Sequence, residues 1–344
     1  MPNKPSILLI YTGGTIGMAT NPETGALKPF DFDHIMQQVP ELKRLGIKLE
    51  SYTFDPIIDS SDMSPIIWEQ LANLINENYY KYDGFVILHG TDTMSYTASA
   101  LSFMLQNLTK PVILTGSQLP IGLIRTDGKE NLITAIEIAA ARDNRGAIVP
   151  EVAIYFETEL YRGNRTTKRS AEHFNAFKSY NYPALAQAGI NIVYNRDHIN
   201  YSPKEDFAVH TKLEQNVVIL KLFPGITVQT IKAICNLPHI KGIILETYGS
   251  GNAPTSPEFH KILSDTINRG VIIVNVTQCT EGRVNMKKYE TGIGLLNIGV
   301  ISSYDSTTEA AVTKLMYLLG NITDHATIIQ KLKISLRGEI NDQS

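Results

Sequence analysis

Cysteine is scarce in this sequence, with only Cys235 and Cys279 among 344 residues. Two cysteines allow one disulfide at most, which excludes the dense disulfide framework of a small secreted protein. Neither residue lies in a cysteine or histidine spacing that is typical of a metal site. We therefore predict that both are buried apolar side chains in a reducing compartment, and that the protein uses no metal and no cofactor.

Long apolar runs are also missing. The run at Ile7–Ile10 is too short for the apolar region of a signal peptide, and no later stretch approaches the roughly 18 residues of a membrane span. The formal net charge is only −3, from 31 basic and 34 acidic residues, so nothing directs the chain to nucleic acid or to an anionic membrane. These absences predict a cytoplasmic protein with no nucleic-acid or membrane partner.

Short runs of Ile, Val and Leu alternate with segments of helical period in the first half of the chain. The runs predict buried strands at Ser6–Tyr11, Gly84–Leu88, Pro111–Thr115 and Glu151–Phe156. Helices are predicted from Ser64-Pro65 onward, from about Thr93 to Gln106, and from about Asp127 to Arg142. This alternation predicts an α/β fold in which helices cover a mostly parallel sheet.

The second half repeats the pattern on a smaller scale. Strands are predicted at Val217–Leu222, Gly242–Thr247 and Val271–Thr277, with helices near Val228–Asn236, Pro257–Arg269 and Thr307–Leu319. A polar stretch without period, which includes Pro203, separates the two halves. We therefore predict a larger N-terminal α/β domain at 1–194, a linker at 195–212 and a smaller C-terminal α/β domain at 213–344.

Glycines and hydroxyl side chains follow three of the predicted strands. The clusters read TGGTIG at Thr12–Gly17, HGTDT at His89–Thr93 and TGS at Thr115–Ser117. Because ligands bind outside the carboxyl ends of parallel strands, these clusters predict a pocket for a small ligand. One such cluster alone would be read as a glycine turn that caps the next helix. The glycine spacing differs from G-x-G-x-x-G and the Walker lysine is absent, which disfavours a nucleotide site.

A hydroxyl nucleophile needs a base, and a threonine near a carboxylate and a lysine can have one. Asp92 directly follows Thr91, and the segment Tyr161–Lys168 would bring Lys168 to the same edge of the sheet. A run of charges of this kind is usually a solvated loop. A lysine beside a carboxylate and a hydroxyl could move protons, which would set Lys168 apart from a solvated residue, but the sequence alone does not show that contact.

At these residues the sequence resembles the bacterial-type L-asparaginases, most closely their cytoplasmic type I branch. The resemblance covers nearly the whole chain. Its motifs are YTGGTIG at Tyr11–Gly17, DSSDM at Asp59–Met63, DGFVILHGTDTM at Asp83–Met94, PVILTGSQ at Pro111–Gln118, LYRGNRTTK at Leu160–Lys168, YGSGNAP at Tyr248–Pro254 and TQC at Thr277–Cys279. The paired TGGTIG and HGTDT motifs are specific when they fall on successive strand ends.

The resemblance implies that L-asparagine is hydrolysed to L-aspartate and ammonia, with Thr15 as the nucleophile and an acyl-enzyme as the intermediate. Thr91, Asp92 and Lys168 would form the second catalytic group. The substrate would be held by Asp92 and by a further set of residues, which are Gly14, Asp59, Ser60, Ser61, Gly90 and Ser117. Backbone amides near Thr15 and Thr91 would stabilise the oxyanion.

The resemblance also implies a homodimer or homotetramer. Asn252 lies in the turn Gly249–Asn252 and matches a position that reaches the active site of a neighbouring subunit. An asparagine in a glycine-rich turn has a purely structural explanation as well, and the sequence does not choose between the two.

Two features depart from the family pattern. Many members carry a tyrosine in the lid after TGGTIG, but Met18–Leu27 contains none, and Ala26 or Leu27 falls at its place. Some type I enzymes bind asparagine as an effector beside the TQC segment through an arginine, where this chain has Glu246. A carboxylate there would repel the effector's carboxylate, so we predict weak or absent activation by asparagine.

Three other interpretations remain open at this stage. One extra methylene changes binding by only about 1–3 kcal/mol, so a glutaminase-asparaginase of mixed specificity is the nearest. An amidase acting on a charged transfer RNA would be expected to have an additional N-terminal domain. A non-catalytic binder of small amino acids would use the same glycine-rich edge without needing Thr15 or Lys168.

Overall fold

The computed structural model describes residues 4–20, 27–29, 39–201 and 205–341. The chain divides into two compact units, Met1–Thr211 and Lys212–Ser344, and each has its own sheet and helices. The prediction of a two-domain α/β fold with a larger N-terminal part is confirmed.

The first unit contains sixteen of the described strands, most of them short. In chain order they are β1 (Ser6–Tyr11), β2 (Met18–Thr20), β3 (Leu27–Pro29), β4 (Lys48–Thr53), β5 (Gly84–Leu88), β6 (Leu105–Gln106), β7 (Val112–Thr115), β8 (Arg142–Asp143), β9 (Gly146–Ala147), β10 (Val152–Phe156), β11 (Glu159–Arg162), β12 (Thr167–Lys168), β13 (Phe177–Lys178), β14 (Ala186–Ala188), β15 (Ile192–Tyr194) and β16 (Ala208–Val209). Its described helices are α1 (Pro65–Asn78), α2 (Met94–Met104) and α3 (Gly128–Ala140), with 3-10 turns at Thr15–Gly17, Pro40–Arg44, Ser60–Asp62, Gly163–Arg165 and Arg196–His198.

An eight-stranded sheet organises this unit, in the spatial order β15-β14-β11-β10-β7-β5-β1-β4. The strands from β10 to β4 are parallel, and β11, β14 and β15 continue the sheet as antiparallel strands. Every residue of β5, β7 and β10 is buried, which explains why these strands are continuous apolar runs. The carboxyl ends of β1, β5 and β7 are level, since Tyr11 pairs with Leu88 and Leu88 with Thr115.

The second unit is built around a parallel four-stranded sheet. Its strands are adjacent in chain order, as β17 (Val217–Lys221), β18 (Gly242–Thr247), β19 (Ile272–Thr277) and β20 (Ile301–Ser302). Its helices are α4 (Val228–Cys235), α5 (Pro257–Asn268), α6 (Glu290–Asn297), α7 (Thr308–Asn321) and α8 (His325–Leu332). Ile243, Leu245, Phe259 and Leu263 pack together in a core of its own.

The strands predicted from apolar runs are confirmed, with ends that agree or differ by a single residue. The predicted helices are also confirmed, including the start of α1 after Ser64 with Pro65 in its first turn. Strands such as β4 were missed because a strand at the edge of a sheet needs no apolar run. Within the expected linker, Ala208–Val209 forms a strand that pairs with Leu105–Gln106.

The prediction for the two cysteines is correct for one of them. Cys235 is buried at the end of α4, whereas Cys279 is exposed in the turn after β19. There its backbone amide donates to the hydroxyl of Thr277, at 3.0 Å. The prediction that Cys279 is a buried apolar side chain is therefore wrong, because a turn after a strand end keeps it at the surface.

Candidate active site

The three strand-end clusters meet at one edge of the large sheet, because β1, β5 and β7 are neighbours. The first two touch through their backbones: a Cβ added to Gly14 would lie only 2.6 Å from the Cα of Gly90. The Thr12 hydroxyl joins them again by donating to the carbonyl of Leu88, at 2.9 Å. No residue with a side chain fits at position 14 without separating these loops.

Thr15 begins the 3-10 turn Thr15–Gly17 and is half-buried. Gly14 precedes it with φ at 93°, in the region that favours glycine. The Tyr11 hydroxyl donates to the Gly17 carbonyl, at 3.0 Å, and the tyrosine ring leaves no space for a Cβ on Gly17. Burial raises the pKa of Tyr11, so its hydroxyl keeps the proton that it donates. The core of the sheet thereby holds the turn that carries Thr15.

Lys168 lies against both Thr91 and Asp92. Its Nζ donates to the Thr91 hydroxyl at 2.8 Å and to Asp92 Oδ1 at 2.7 Å. The lysine side chain is 17% exposed and the aspartate 66%, so the lysine is largely buried while its carboxylate partner faces solvent. The Thr91 hydroxyl is also 3.3 Å from Gln118 Oε1. A proton can pass between the threonine and the lysine across this contact.

The segment that leads to Lys168 is buried, unlike the solvated loop that a run of charges usually forms. Arg162 Nε donates to Glu151 Oε2 at 2.7 Å, and its guanidinium lies 4.4 Å above the ring of Tyr182. Gly163 packs closely on α2, where an added Cβ would be 3.0 Å from the Cβ of Ala98. The buried ion pair and this close packing set the course of the chain before β12, which carries Lys168.

The Asp59–Ser61 turn adjoins the first two clusters. Asp59 Oδ1 accepts hydrogen bonds from the Ser61 amide at 2.8 Å and from the Ser61 hydroxyl at 2.7 Å. These bonds lower the pKa of Asp59, so the carboxylate is charged near neutral pH. Ser60 is buried against Gly90, where an added Cβ would lie 2.5 Å from the Ser60 hydroxyl.

The third cluster contributes less through Ser117 than through its neighbour Gln118. The Ser117 hydroxyl is buried and donates within its own loop to the carbonyl of Leu119. Gln118 instead spans the site, from the Thr91 hydroxyl to the carbonyl of His173, to which its Nε2 donates at 3.1 Å. Gln118 was not among the residues predicted from the sequence, although it directly follows Ser117 in the same motif.

Asp127, at the start of α3, holds the loop that carries Gln118. Its carboxylate accepts the Gln118 amide at 2.9 Å and the Leu119 amide at 3.2 Å. Burial raises the pKa of Asp127, and these hydrogen bonds act in the opposite direction. The carboxylate therefore holds the backbone of the loop from which Gln118 reaches Thr91.

His89 is fully buried behind the second cluster and was also missed. Its Nδ1 lies 2.6 Å from the Gly90 carbonyl, and its Nε2 lies 2.9 Å from the Thr97 hydroxyl. Trp68 Nε1 donates to that same hydroxyl, at 2.9 Å, so Thr97 can donate to His89 Nε2. Burial lowers the pKa of His89 to about 4. The neutral ring then donates from Nδ1 to Gly90 and fixes the loop before Thr91.

Asn252 belongs to the second unit and closes the turn after β18. Its backbone pairs with Tyr248, and its Oδ1 accepts a hydrogen bond from the Thr291 hydroxyl at 2.7 Å. Residues 21–26, in which most of the expected lid and Ala26 fall, lie outside the described residues. The strands on either side of those residues, β2 and β3, pair in an antiparallel arrangement.

Glu246, expected to weaken an effector site, lies near the end of β18 and is largely buried. Its carboxylate accepts a hydrogen bond from the Thr308 hydroxyl at 2.8 Å and lies 3.4 Å from Lys221 Nζ.

Among the described residues, no three side chains of the metal-binding types converge into a cluster that could hold a metal ion. Nor does any helix within those ranges have the length and apolar character to cross a membrane.

Comparisons with known proteins agree with this geometry. The family model for the N-terminal domain of asparaginases matches residues 6–200, and that for the glutaminase/asparaginase C-terminal domain matches residues 216–332. L-asparaginase 1 of Escherichia coli is 44% identical over 98% of each chain. The 60 kDa lysophospholipase of Mus musculus is 39% identical over 97% of this chain and 62% of that protein. The crystal structure of L-asparaginase I from Vibrio cholerae superposes with a TM-score of 0.89, at 42% identity, covering 98% of this chain and all of the other.

The family models cover both units, and the motif clusters after β1, β5 and β7 meet at one edge of the large sheet of the first unit. This chain belongs to the asparaginase family.

Proposed function

We propose that this protein is an L-asparaginase, which hydrolyses the side-chain amide of L-asparagine to give L-aspartate and ammonia. The observation that carries the proposal is the hydrogen-bonded group of Lys168, Thr91 and Asp92 beside the loop of Thr15. It joins a hydroxyl, a proton carrier and a carboxylate at the edge where parallel sheets bind ligands.

In this proposal the Thr15 hydroxyl attacks the carboxamide carbon. The hydroxyl proton passes to water or to the Thr91–Lys168 pair and from there to the amide nitrogen, so that the C–N bond breaks and ammonia leaves. Water then attacks the β-aspartyl ester on Thr15 and gives a proton to Lys168 and Thr91. The ester bond between the acyl carbon and the Thr15 oxygen breaks, that oxygen takes the proton back, and aspartate leaves. Backbone amides near Thr15 and Thr91 would stabilise the oxyanion, each by about 3 kcal/mol.

The α-ammonium group of the substrate needs hydrogen-bond acceptors, preferably carboxylates, and its α-carboxylate needs hydrogen-bond donors. The charged Asp59 carboxylate, together with Asp92, would bind the α-ammonium group. The hydroxyl and the amide of Ser60 would bind the α-carboxylate, and Ser61, whose amide and hydroxyl donate to Asp59, would hold the Asp59 carboxylate in place. Gly14 and Gly90 would let the substrate approach the backbone, and Ser117 would line the pocket through its backbone, since its hydroxyl is already bonded.

Ammonia release from L-asparagine and from L-glutamine, by the wild type and by Thr15→Val, tests the proposal. We expect asparagine to be turned over much faster than glutamine, and we expect a folded but inactive variant, because valine keeps the shape of threonine without its hydroxyl. Comparable rates on both amides would favour the glutaminase-asparaginase of mixed specificity. Affinity for asparagine without turnover would favour the non-catalytic binder.

We further propose a cytoplasmic homodimer or homotetramer in which Asn252 reaches a neighbouring active site. The Thr291 hydroxyl binds the Oδ1 atom of Asn252, and the Nδ2 group would be the donor to a substrate.

Activation by asparagine is expected to be weak or absent. Glu246 would repel the carboxylate of an effector, and its bonds to Thr308 and Lys221 hold it in place. Initial rates over a wide range of asparagine concentrations should therefore follow a hyperbola. A sigmoidal curve would refute this expectation.

A further inference from the structure

Thr93 occupies the N-cap position of α2 but does not cap that helix. Three threonines hold N-cap positions among the described α-helices. In two of them, Thr227 and Thr307, the side-chain oxygen accepts an amide of its own helix. Thr93 makes no such bond within the described ranges, and its hydroxyl donates to the carbonyl of Ser60 at 2.7 Å. A threonine at the N-cap normally stabilises its own helix through its side-chain oxygen. Because Thr93 does not, we infer that its bond to Ser60 has a role outside the helix.

The partner of this bond is the turn that we assign to the substrate's α-substituents. Ser60 lies between Asp59 and Ser61, whose mutual hydrogen bonds make the turn a compact unit. Thr93 itself is anchored, because its carbonyl accepts the Thr97 amide at 3.0 Å as the first bond of α2. The Thr93 hydroxyl therefore joins the Asp59–Ser61 turn to a helix that is buried along nearly its whole length.

The residues directly before Thr93 are the proposed catalytic ones. Thr91 and Asp92 directly precede Thr93 and bind Lys168. The bond from Thr93 to Ser60 consequently sets the distance between the groups that react and the groups that would hold the substrate. Gly90 adds a steric contact with Ser60, but a contact of this kind limits approach and does not prevent the turn from moving away.

We propose that Thr93 is a positioning residue for substrate binding, whose hydroxyl holds the Asp59–Ser61 turn in register with Thr91 and Asp92. This inference rests on the proposed function. Thr93 acts on the ground-state fit of the α-ammonium and α-carboxylate groups and leaves the attacking hydroxyl and its proton path unchanged. Its loss therefore affects affinity far more than turnover.

Thr93→Val tests the proposal because valine keeps the β-branched shape and removes only the donor. A net hydrogen bond of ordinary strength corresponds to about a fivefold change, so we expect KM for asparagine to rise about fivefold while kcat changes less than about twofold. The inhibition constant of L-aspartate, which involves no bond breaking, should rise in parallel. Thr93→Ser, which keeps the donor, should restore both values.

Thr307→Val is the matched control, since it removes a threonine hydroxyl from a helix N-cap in the second unit. It should lower the melting temperature and leave KM and the aspartate inhibition constant unchanged. Thermal melts of all variants identify any that fail to fold, and Thr93→Ala, measured in the same way, then provides a second variant without the donor.

Unchanged KM and inhibition constants in Thr93→Val would overturn the proposal, as would a fall in kcat without a rise in KM. A wild type that releases no ammonia would instead contradict the proposed function. In that case calorimetric titration of wild type and Thr93→Val with L-aspartate decides on Thr93: equal affinities, or no measurable binding to the wild type, would overturn the inference.

Discussion

At the carboxyl ends of β1, β5 and β7, individual side chains are held by hydrogen bonds to residues that are distant in the sequence, and a sequence motif does not show these bonds. Lys168 is the clearest case, because its ammonium group contacts a hydroxyl and a carboxylate that lie far from it in the chain. The motif residues Thr15, Thr91 and Asp92 were singled out from the sequence, since small and hydroxyl residues cluster after strands, and their catalytic roles stay predictions. Gln118, Asp127 and His89 were not, because their roles depend on which loop a buried polar group faces.

Replacing Lys168 by methionine should reduce kcat for asparagine by about 10³-fold, the usual magnitude for the loss of a group that moves a proton. The side chain keeps its length, and the variant should remain folded. Lys178→Met is the control. Lys178 lies on β13, the strand paired with β12, but its Nζ forms an ion pair with Glu159, at 3.6 Å, instead of contacting Thr91 and Asp92. Ammonia release at saturating asparagine measures both, and a kcat near that of the wild type in Lys168→Met would contradict the role of the lysine.

The buried His89 predicts how stability responds to acid. Burial lowers its pKa to about 4 from an ordinary value of 6.5, so the unfolded chain binds a proton before the folded one does. Stability is therefore lost as the pH falls from 6.5 to 4, by up to about 3 kcal/mol from this residue. Below pH 4 both states carry the proton and the loss stops.

Urea unfolding at pH 7, 5.5 and 4.5 measures this effect by comparison with His89→Gln, which has no titrating ring. Contributions from other groups are common to both proteins and cancel in the difference. The wild type should lose more unfolding free energy than the variant over this range. Parallel losses would show that His89 does not stay neutral inside the fold.

At the scale of elements, the central strands were predictable and the edge strands were not. β5, β7 and β10 are buried along their whole length and are therefore almost entirely apolar, without the alternation of polar residues that a half-exposed strand has. Strand β4, by contrast, exposes most of its residues and reads as a polar segment. The buried course of the segment before β12 was equally hidden, because an arginine is buried only when a partner such as Glu151 is placed opposite by the fold.

The Glu151–Arg162 ion pair should stabilise the buried segment that leads to Lys168. Glu151→Gln removes the charge that compensates a buried guanidinium, and we expect it to lower the free energy of unfolding by about 3 kcal/mol. It should also reduce kcat, since the course of the chain to Lys168 is loosened. Asp143→Asn, which alters the solvent-exposed pair of Asp143 with Arg196, should change neither quantity appreciably. Equal effects of the two variants in urea unfolding would contradict this reasoning.

At the scale of the whole molecule, the chain folds as two units with separate cores, and the residues assigned to chemistry lie in the first. Asn252 lies in the second, and its proposed contribution to a neighbouring active site makes the oligomer the functional entity. This proposal came from the resemblance of the YGSGNAP motif, because a turn asparagine carries no signal of a contact between subunits.

Mixing two inactive variants tests this assignment. If Asn252 serves a neighbouring subunit, Thr15→Val and Asn252→Ala subunits that are unfolded and refolded together should form some intact sites. Random pairing into symmetric dimers predicts about a quarter of the wild-type activity. Light scattering gives the mass of the assembly, and each variant refolded alone is the control. Activity no greater than the average of the two separate preparations would show that Asn252 does not act across an interface.

The contact between Gly14 and Gly90 has a consequence for redesign. The spacing of the Thr15 and Thr91 loops is set by two backbones in contact, with no side chain between them to shrink or repack. Changes of substrate preference obtained by laboratory evolution should therefore accumulate around the rim of the pocket and leave positions 14 and 90 untouched. A larger side chain on the substrate would have to be accommodated by the Asp59–Ser61 turn or by Gln118, since the two glycines have no side chain that could be shortened to make space.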